Sequence, residues 1–322
     1  MNSPKLNSPK HRGGVEIDST FAEAFDMKAT RLIITANDRT WAMAAATSMV
    51  GFATSVIACG IEMAIERVRT PDETPDGRLG VSVLAFAVSK TEMEKQIVSR
   101  AGQCVLTCPT TALYSGIEET KPKSDKRVAI GKSLRYFGDG HQISKVIDSR
   151  RFWRIPVMDG EFVCDHDVPR VDGIGGGNFI LLGKDVDAVL GASRAAVDAM
   201  RKVEGVIMPF PGGVTRSGSK IGSKYAKLVA STNDAYCPSL RGSRLRESRS
   251  GDSMPPSPLQ LDESVAMEIV FDGLTPANIR SAMRAGIDAA CHFDHGGGLL
   301  RITAGNYGGK LGRHHFHLHE VV

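Results

Sequence analysis

Short β-branched runs alternate along the chain with longer stretches whose apolar positions recur three and four apart, and glycine, proline or Asx residues mark each change. Residues 31–35 predict a strand; Asn37-Asp38 then caps an Ala-rich helix reaching Met49, Gly51 stops it, and residues 54–59 predict the next strand. After the Thr74-Pro-Asp-Gly77 turn, residues 81–88 predict a strand. Ser89-Lys-Thr-Glu92 is a capping box opening a helix to about Arg100, and residues 104–106 return as a strand. The second half repeats the pattern. Residues 178–182 predict a strand, Asp185 caps a helix to about Lys202, Gly205 stops it, and residues 206–208 are a strand. Residues 265–271 predict another strand, Thr275-Pro276 starts a helix carrying Ile279, Met283 and Ile287 four apart, and residues 299–303 close the unit.

Two strand, helix, strand units per half predict an α+β fold of two ferredoxin-like βαββαβ lobes, each an antiparallel sheet covered by helices, with a cleft between them. The expected organisation is a disordered tail over 1–16, where Asn-Ser-Pro-Lys repeats without an apolar core, an N-terminal lobe over 17–165 and a C-terminal lobe over 166–322. A mobile insertion is expected at 241–264, which is rich in Arg and Ser, contains Met254-Pro-Pro-Ser-Pro258 and shows neither period. Residues 41–61 carry no formal charge and are long enough to span a membrane. They are mostly Ala, Ser, Thr and Gly, broken by Gly51 and Gly60 behind a helix cap, so no membrane span is predicted.

Composition narrows the partners. In 322 residues, 40 Lys plus Arg stand against 36 Asp plus Glu, a formal charge of +4 that is too small for a nucleic-acid footprint but leaves anionic small molecules open. The arginines of 241–264 lack interleaved aromatic residues for base stacking. Six cysteines without a Cys-x-x-Cys pair argue against a disulfide scaffold and for a reducing, cytoplasmic compartment.

Candidate chemistry lies in glycine loops and one carboxylate. Gly173-Ile-Gly-Gly-Gly-Asn178 leads into a strand, where a dinucleotide fingerprint would open a helix, so Gly175, Gly176, Gly177 and Asn178 are candidates for close backbone approach to another ligand. Two further loops, residues 211–222 and 304–312, both end in Lys-x-Gly. Exposed amides beside Arg216, Lys220 and Lys310 would suit carboxylates, phosphates or an oxyanion; two tight turns with solvated lysines explain the spacing as well. Alternation along 265–271 puts Val265, Met267, Ile269 and Phe271 on one face and Ala266, Glu268 and Val270 on the other. Glu268 is either a carboxylate on a wet sheet face or, if covered, a desolvated acid near neutral pKa. His315, His317 and His319 would share one face of a C-terminal strand as a metal comb, but no accompanying pattern selects a metal, and none is predicted. Cys104 and Cys108 read as structural thiols.

The strings FDMKATRLIITAND, GQCVLTCPTTA, LRYFGDGHQISKVI, WRIPVMDGEFV, PFPGGVTRSGSKIGSKY, STNDAYCPSLR and TAGNYGGKLG resemble the formylmethanofuran:tetrahydromethanopterin formyltransferases from about Ile17 to the C-terminus, interrupted at 241–264 and 292–298. The resemblance implies a two-lobed homotetramer that moves a formyl group between N5 of tetrahydromethanopterin and the amine of methanofuran, both as substrates, with no tightly bound cofactor and no metal. It places the family's acid/base carboxylate on Glu268. Carriers bearing carboxylates and a phosphate fit the basic glycine loops, so Gly175, Gly176, Gly177, Asn178, Arg216, Ser217, Gly218, Ser219, Lys220, Asn306 and Lys310 are expected to bind substrate. The tail, the insertion and the 292–298 loop resemble a bacterial version that associates with a formyltransferase/hydrolase complex. The competing expectations are a non-catalytic pterin-binding scaffold subunit and a metal-dependent hydrolase using the C-terminal histidines.

Overall fold

In the computed structural model of the chain, residues 9–117, 126–216, 218–241, 258–294 and 296–322 are described. The N-terminal segments Lys10–Arg12 (β1) and Val15–Ile17 (β2) pair as a hairpin, and β2 runs beside a C-terminal strand with Val15 and Ile17 buried. Residues 9–16 are therefore ordered where a disordered tail was expected, because two apolar side chains reach the core of the opposite end of the chain; residues 1–8 lie outside the described residues.

Phe21–Thr35 (β3), Arg39–Val50 (α1), Glu62–Arg69 (β4), Gly80–Ala87 (β5), Lys90–Arg100 (α2) and Ala112–Ser115 (β6) follow. The N-caps form: Asp38 Oδ1 accepts from the Thr40 and Trp41 amides at 2.7 and 3.2 Å, and Ser89 Oγ from Glu92 at 3.2 Å, though the return bond to the Glu92 carboxylate that a capping box needs is absent among the described residues. Two predicted strands are absent. Residues 54–59 are irregular, with positive φ at Phe52 and Ala58, and the strand begins only at Glu62. Ala101–Leu106 continues α2 as a π-helical turn, since Ala101 and Val105 lie four apart and both are buried. Helix α1 spans only 12 residues and packs Ala42, Ala45, Ala46 and Met49 into the core; among the described residues no helix is long and apolar enough to cross a membrane.

The connection to the second half contains Arg127–Val128 (β7), Gly131–Leu134 (α3), Ile143–Ile147 (β8), Arg150–Val157 (β9), Gly160–Asp165 (β10) and Val168–Pro169 (β11). Then come Val171–Gly183 (β12), Val186–Met200 (α4), Val206–Ile207 (β13), Ser219–Ile221 (β14), Ala230–Thr232 (β15), Val265–Gly273 (β16), Pro276–His292 (α5), Leu299–Thr303 (β17) and His314–His317 (β18). Asp185 and Thr275 cap α4 and α5 through the amides of Ala188 and Asn278 at 2.8 and 3.1 Å.

Strand order is β4-β5-β3-β6 in the first half and β13-β16-β12-β17 in the second. The long β3 joins them into one large, mostly antiparallel sheet: it pairs with β12 and β18 near its start and with β5 and β6 near its end. The core follows suit. One buried cluster draws on residues 32–168 under α1 and α2, and another combines Val15, Ile17, Ala22 and Ala24 with residues 174–321 under α4 and α5. The C-terminal end of the predicted mobile insertion is packed: Leu259 is buried, and Glu263 holds Arg301 through bonds of 2.7 and 2.8 Å. Burying that pair anchors residues 258–264, whereas 242–257 lie outside the described residues.

Candidate active site

A cavity of about 400 Å³ opens where the two halves meet, walled by residues 55–59 and Glu62 from the first half, Phe25 and Met27 of β3, Gly175, Gly176 and Asn178 of β12, Phe210, Thr215, Arg216, Gly218 and Ser219, and Glu268 and Val270 of β16. Glu268 lies in the middle of the sheet. Its backbone faces Ile180 on β12, and on the other side it exchanges N–H···O=C bonds of 2.8 Å with Thr215. The side chain is buried beside Ala266 and Val270, and this loss of water pushes its carboxyl up to about 7, opposed only in part by an N–H from Gly218. Gly218 has to be a glycine: a Cβ there would lie 2.5 Å from Glu268 Oε2. Burial and the lack of a cationic partner among the described residues make this a carboxyl able to give and take a proton near neutrality.

The loop following β17 behaves differently. Its amides converge on Glu23 of β3, with Tyr307 and Gly309 donating to Oε2 at 2.6 and 2.8 Å, and Leu311 and Gly312 to Oε1 at 2.7 and 2.6 Å. Burial pushes the Glu23 carboxyl up, but the bonds from Gly312, Tyr307, Leu311 and Gly309 outweigh it and hold the group below its ordinary range. The amides expected to meet a ligand anion are thus occupied by the protein's own carboxylate. Tyr307, which that loop carries, lines the cleft with its ring 5.9 Å from that of Phe25. Burial and the charges of Glu268 and Glu23 keep its phenol protonated.

Of the expected binding residues, Gly175, Gly176, Asn178, Arg216, Gly218 and Ser219 line the cleft together with Glu268. Asn178 is fully engaged, donating to the Gly176 and Gly305 carbonyls at 3.2 and 3.1 Å and accepting from the Gly305 amide at 2.6 Å, so it ties the β12 bulge to the loop after β17. Gly177 instead packs on the Phe271 ring, where a Cβ would meet carbon at 3.0 Å. Lys220, on the exposed β14, pairs with Asp234; Asn306 bonds the Phe21 carbonyl at 3.3 Å; Lys310 is exposed. None of these four is among the cleft-lining residues. Ser217 lies outside the described residues. His315 and His317 flank Phe21, His314 bonds Asp26 at 2.8 Å, and His319 falls in the terminal helix Leu318–Val321, so the histidines do not form one comb. Among the described residues no cluster of three or more His, Cys, Asp or Glu could hold a metal.

Sequence reasoning missed Glu23, Glu62, Asp272 and Tyr307. Asp272 was within reach, since the alternation that puts Glu268 on its face reaches Asp272 once the strand is extended to Gly273. Glu23 had no local signal, because its donors are more than 280 residues away.

A family profile described as formylmethanofuran-tetrahydromethanopterin formyltransferase matches residues 11–157, and one described as its proximal lobe matches residues 160–321. The chain belongs to this formyltransferase family. The curated formylmethanofuran–tetrahydromethanopterin formyltransferase of Rhodopirellula baltica is 60% identical over 317 residues, covering 96% of this chain and 92% of the relative. A component of the formyltransferase/hydrolase complex of Methylorubrum extorquens is 46% identical over 315 residues, covering 96% of each. Among solved structures, a chain of the formyltransferase/hydrolase complex from that organism, in complex with methylofuran, superposes on this formyltransferase-family chain with a TM-score of 0.87 at 46% identity, covering 98% of this chain and 99% of the other. The Methanosarcina barkeri formyltransferase gives 0.86 at 42% identity, covering 97% and 100%.

Proposed function

We propose that this chain is an acyltransferase that moves a formyl group reversibly between N5 of tetrahydromethanopterin and the amine of methanofuran or a close analogue, by direct transfer through a tetrahedral intermediate. The observation that carries the reading is a buried carboxyl near pKa 7, Glu268, in the cleft of a chain 60% identical to a protein bearing that name. In the direction onto the pterin, the N5 lone pair attacks the formamide carbon and the carbonyl π electrons move to oxygen. The oxyanion then collapses, the C–N bond to the furan carrier breaks, and Glu268 protonates the departing amine and recovers a proton from N5. The Tyr307 phenol, kept neutral, is the donor proposed for the oxyanion, and Arg216 on the rim is the counter-charge for a carrier carboxylate. Holding both carriers in one cleft supplies several kcal/mol of orientation without an acyl-enzyme.

The same reading takes each half as a ferredoxin-like βαββαβ lobe, supported by the matching strand orders, with residues 10–24 serving the second lobe. It includes a cytoplasmic homotetramer able to join a formyltransferase/hydrolase complex; the relative named as part of such a complex, together with the exposed apolar side chains of Phe52, Phe137 and Met158, supports association. The test is formyl transfer between purified formyl-tetrahydromethanopterin and methanofuran by wild type and Glu268→Gln at matched folding. Removing the acid is expected to lower the rate by roughly 10²–10⁴; a well-folded wild type without transfer overturns the reading in favour of the scaffold role.

A further inference from the structure

Two carboxyls that the transfer chemistry does not use meet beneath the cleft floor. Glu62 opens β4 in the first half, Asp272 lies near the end of β16 in the second, and both are buried with their carboxyls close enough to interact. A bond between two carboxyls requires a proton on one of them. Glu62 Oε2 and Asp272 Oδ2 are both buried and have no hydrogen-bond partner among the described residues, so a proton placed between the two carboxyls is what would satisfy them. The remaining oxygens are committed to the cleft wall: Asp272 Oδ1 accepts the Gly176 N–H at 3.0 Å, and Glu62 receives the Ser55 hydroxyl and, at 3.7 Å, the Cys59 thiol. Ser55, Cys59, Glu62, Gly175 and Gly176 all line the cavity that contains Glu268. The β12 wall has no slack: Gly176 has φ +81°, and a Cβ on Gly175 would lie 1.9 Å from Met27 Sδ and 3.1 Å from Asp272 Oδ1.

We propose that Glu62 and Asp272 hold a single proton between them and act as positioning residues, fastening the 55–62 wall of one half to the Gly175–Gly176 wall of the other so that both carriers meet a cleft of fixed width. This rests on the formyl-transfer reading for its consequence, though not for its geometry. The groups facing the pair are each other, Ser55, the Gly176 amide and Cys59, whose thiol burial pushes up to about 12; from α2, Glu92 and Gln96 reach the backbone at Gly60. Burial raises both carboxyls above their ordinary range, which favours a proton held between them. When it is lost at higher pH, two carboxylates repel at a bond the fold requires.

The experiment compares wild type, Glu62→Gln and Glu62→Ala in the full chain, each also carrying Glu268→Gln for the stability series, so that the titration of Glu268 is removed. In the Gln variant the amide donates to Asp272 without a titratable proton. Melting temperature should therefore fall with rising pH in the Glu268→Gln parent and stay flatter when Glu62→Gln is added, and the alkaline rise of KM for the carriers should move up by a pH unit or more. Glu62→Ala should raise KM about tenfold, and Glu62→Gln should restore most of that loss. A decline of melting temperature with rising pH that is the same with Gln at 62 overturns the proposal, as does an unmoved KM in Glu62→Ala. If instead no variant transfers formyl while the melting difference persists, the transfer reading has failed and the shared proton has not.

Discussion

Glu23 and Glu268 face one cleft, and both are buried, yet four backbone N–H groups of the loop after β17 reach Glu23 while Glu268 receives one, from Gly218. Both carboxyls lose water. The number of amides aimed at each decides whether the charge is restored, so Glu23 is held below the ordinary carboxylate range and Glu268 is left poised near 7. The two glycine loops end alike in Lys-x-Gly, and the difference between them is one of direction: one wraps its amides around a carboxylate, and the other lays a bare Cα against one. A buried acid thus serves structure or chemistry according to how fully the backbone solvates it.

The sharpest break of this comparison comes from removing each charge in turn and following stability with pH. Glu23→Gln should destabilise the fold by about 2–4 kcal/mol at neutral pH, because an amide cannot accept from four buried donors. The lowered pKa of Glu23 means that its contribution is fully present above about pH 4.5 and is lost as pH falls through the folded value, so the deficit of the variant should shrink in acid. Glu268→Gln should show the opposite sign: the raised pKa penalises wild type as pH climbs from about 4.5 to about 7, and the variant should gain up to about 3 kcal/mol relative to wild type over that window. Melting curves across pH 3–8 check both, and equal slopes would dissolve the distinction.

Gly218→Ala sharpens the catalytic side. The added methyl meets Glu268 Oε2 at 2.5 Å, so turnover should drop roughly 10- to 100-fold with a circular dichroism spectrum like that of wild type. A smaller effect is expected at the basic residues. Arg216→Ala should raise KM about tenfold, as for one charge-assisted contact, whereas Lys220→Ala and Lys310→Ala should change it less than about threefold because Lys220 is already paired with Asp234 and neither lysine lines the cleft. Equal effects at all three would return the lysines to the binding surface.

Helices and their caps were legible wherever a local bond defined them: Asp38, Ser89, Asp185 and Thr275 each bind an amide two or three residues ahead. The strand alternation around Glu268 was legible for the same reason, being a property of neighbours along one strand. Residues 54–59 misled because an apolar run reads the same whether it pairs in a sheet or is turned aside by positive φ at Phe52 and Ala58 to wall a cavity. The disordered-tail expectation failed over 9–16 because Val15, with the adjoining Ile17, finds its buried place only beside a strand some 285 residues later.

By itself, then, the sequence determined the four main helices with their N-caps and the strands beside them, the placement of one carboxylate between small apolar neighbours and, through its motifs, the family. Tertiary structure alone decided that this carboxylate is covered, that Glu23 rather than a ligand fills the amides of the 304–312 loop, and that Glu62 and Asp272 meet across the two halves. The physical reason is range: capping and alternation act within a few residues, whereas desolvation and carboxyl pairing depend on what distant strands bring to the same place.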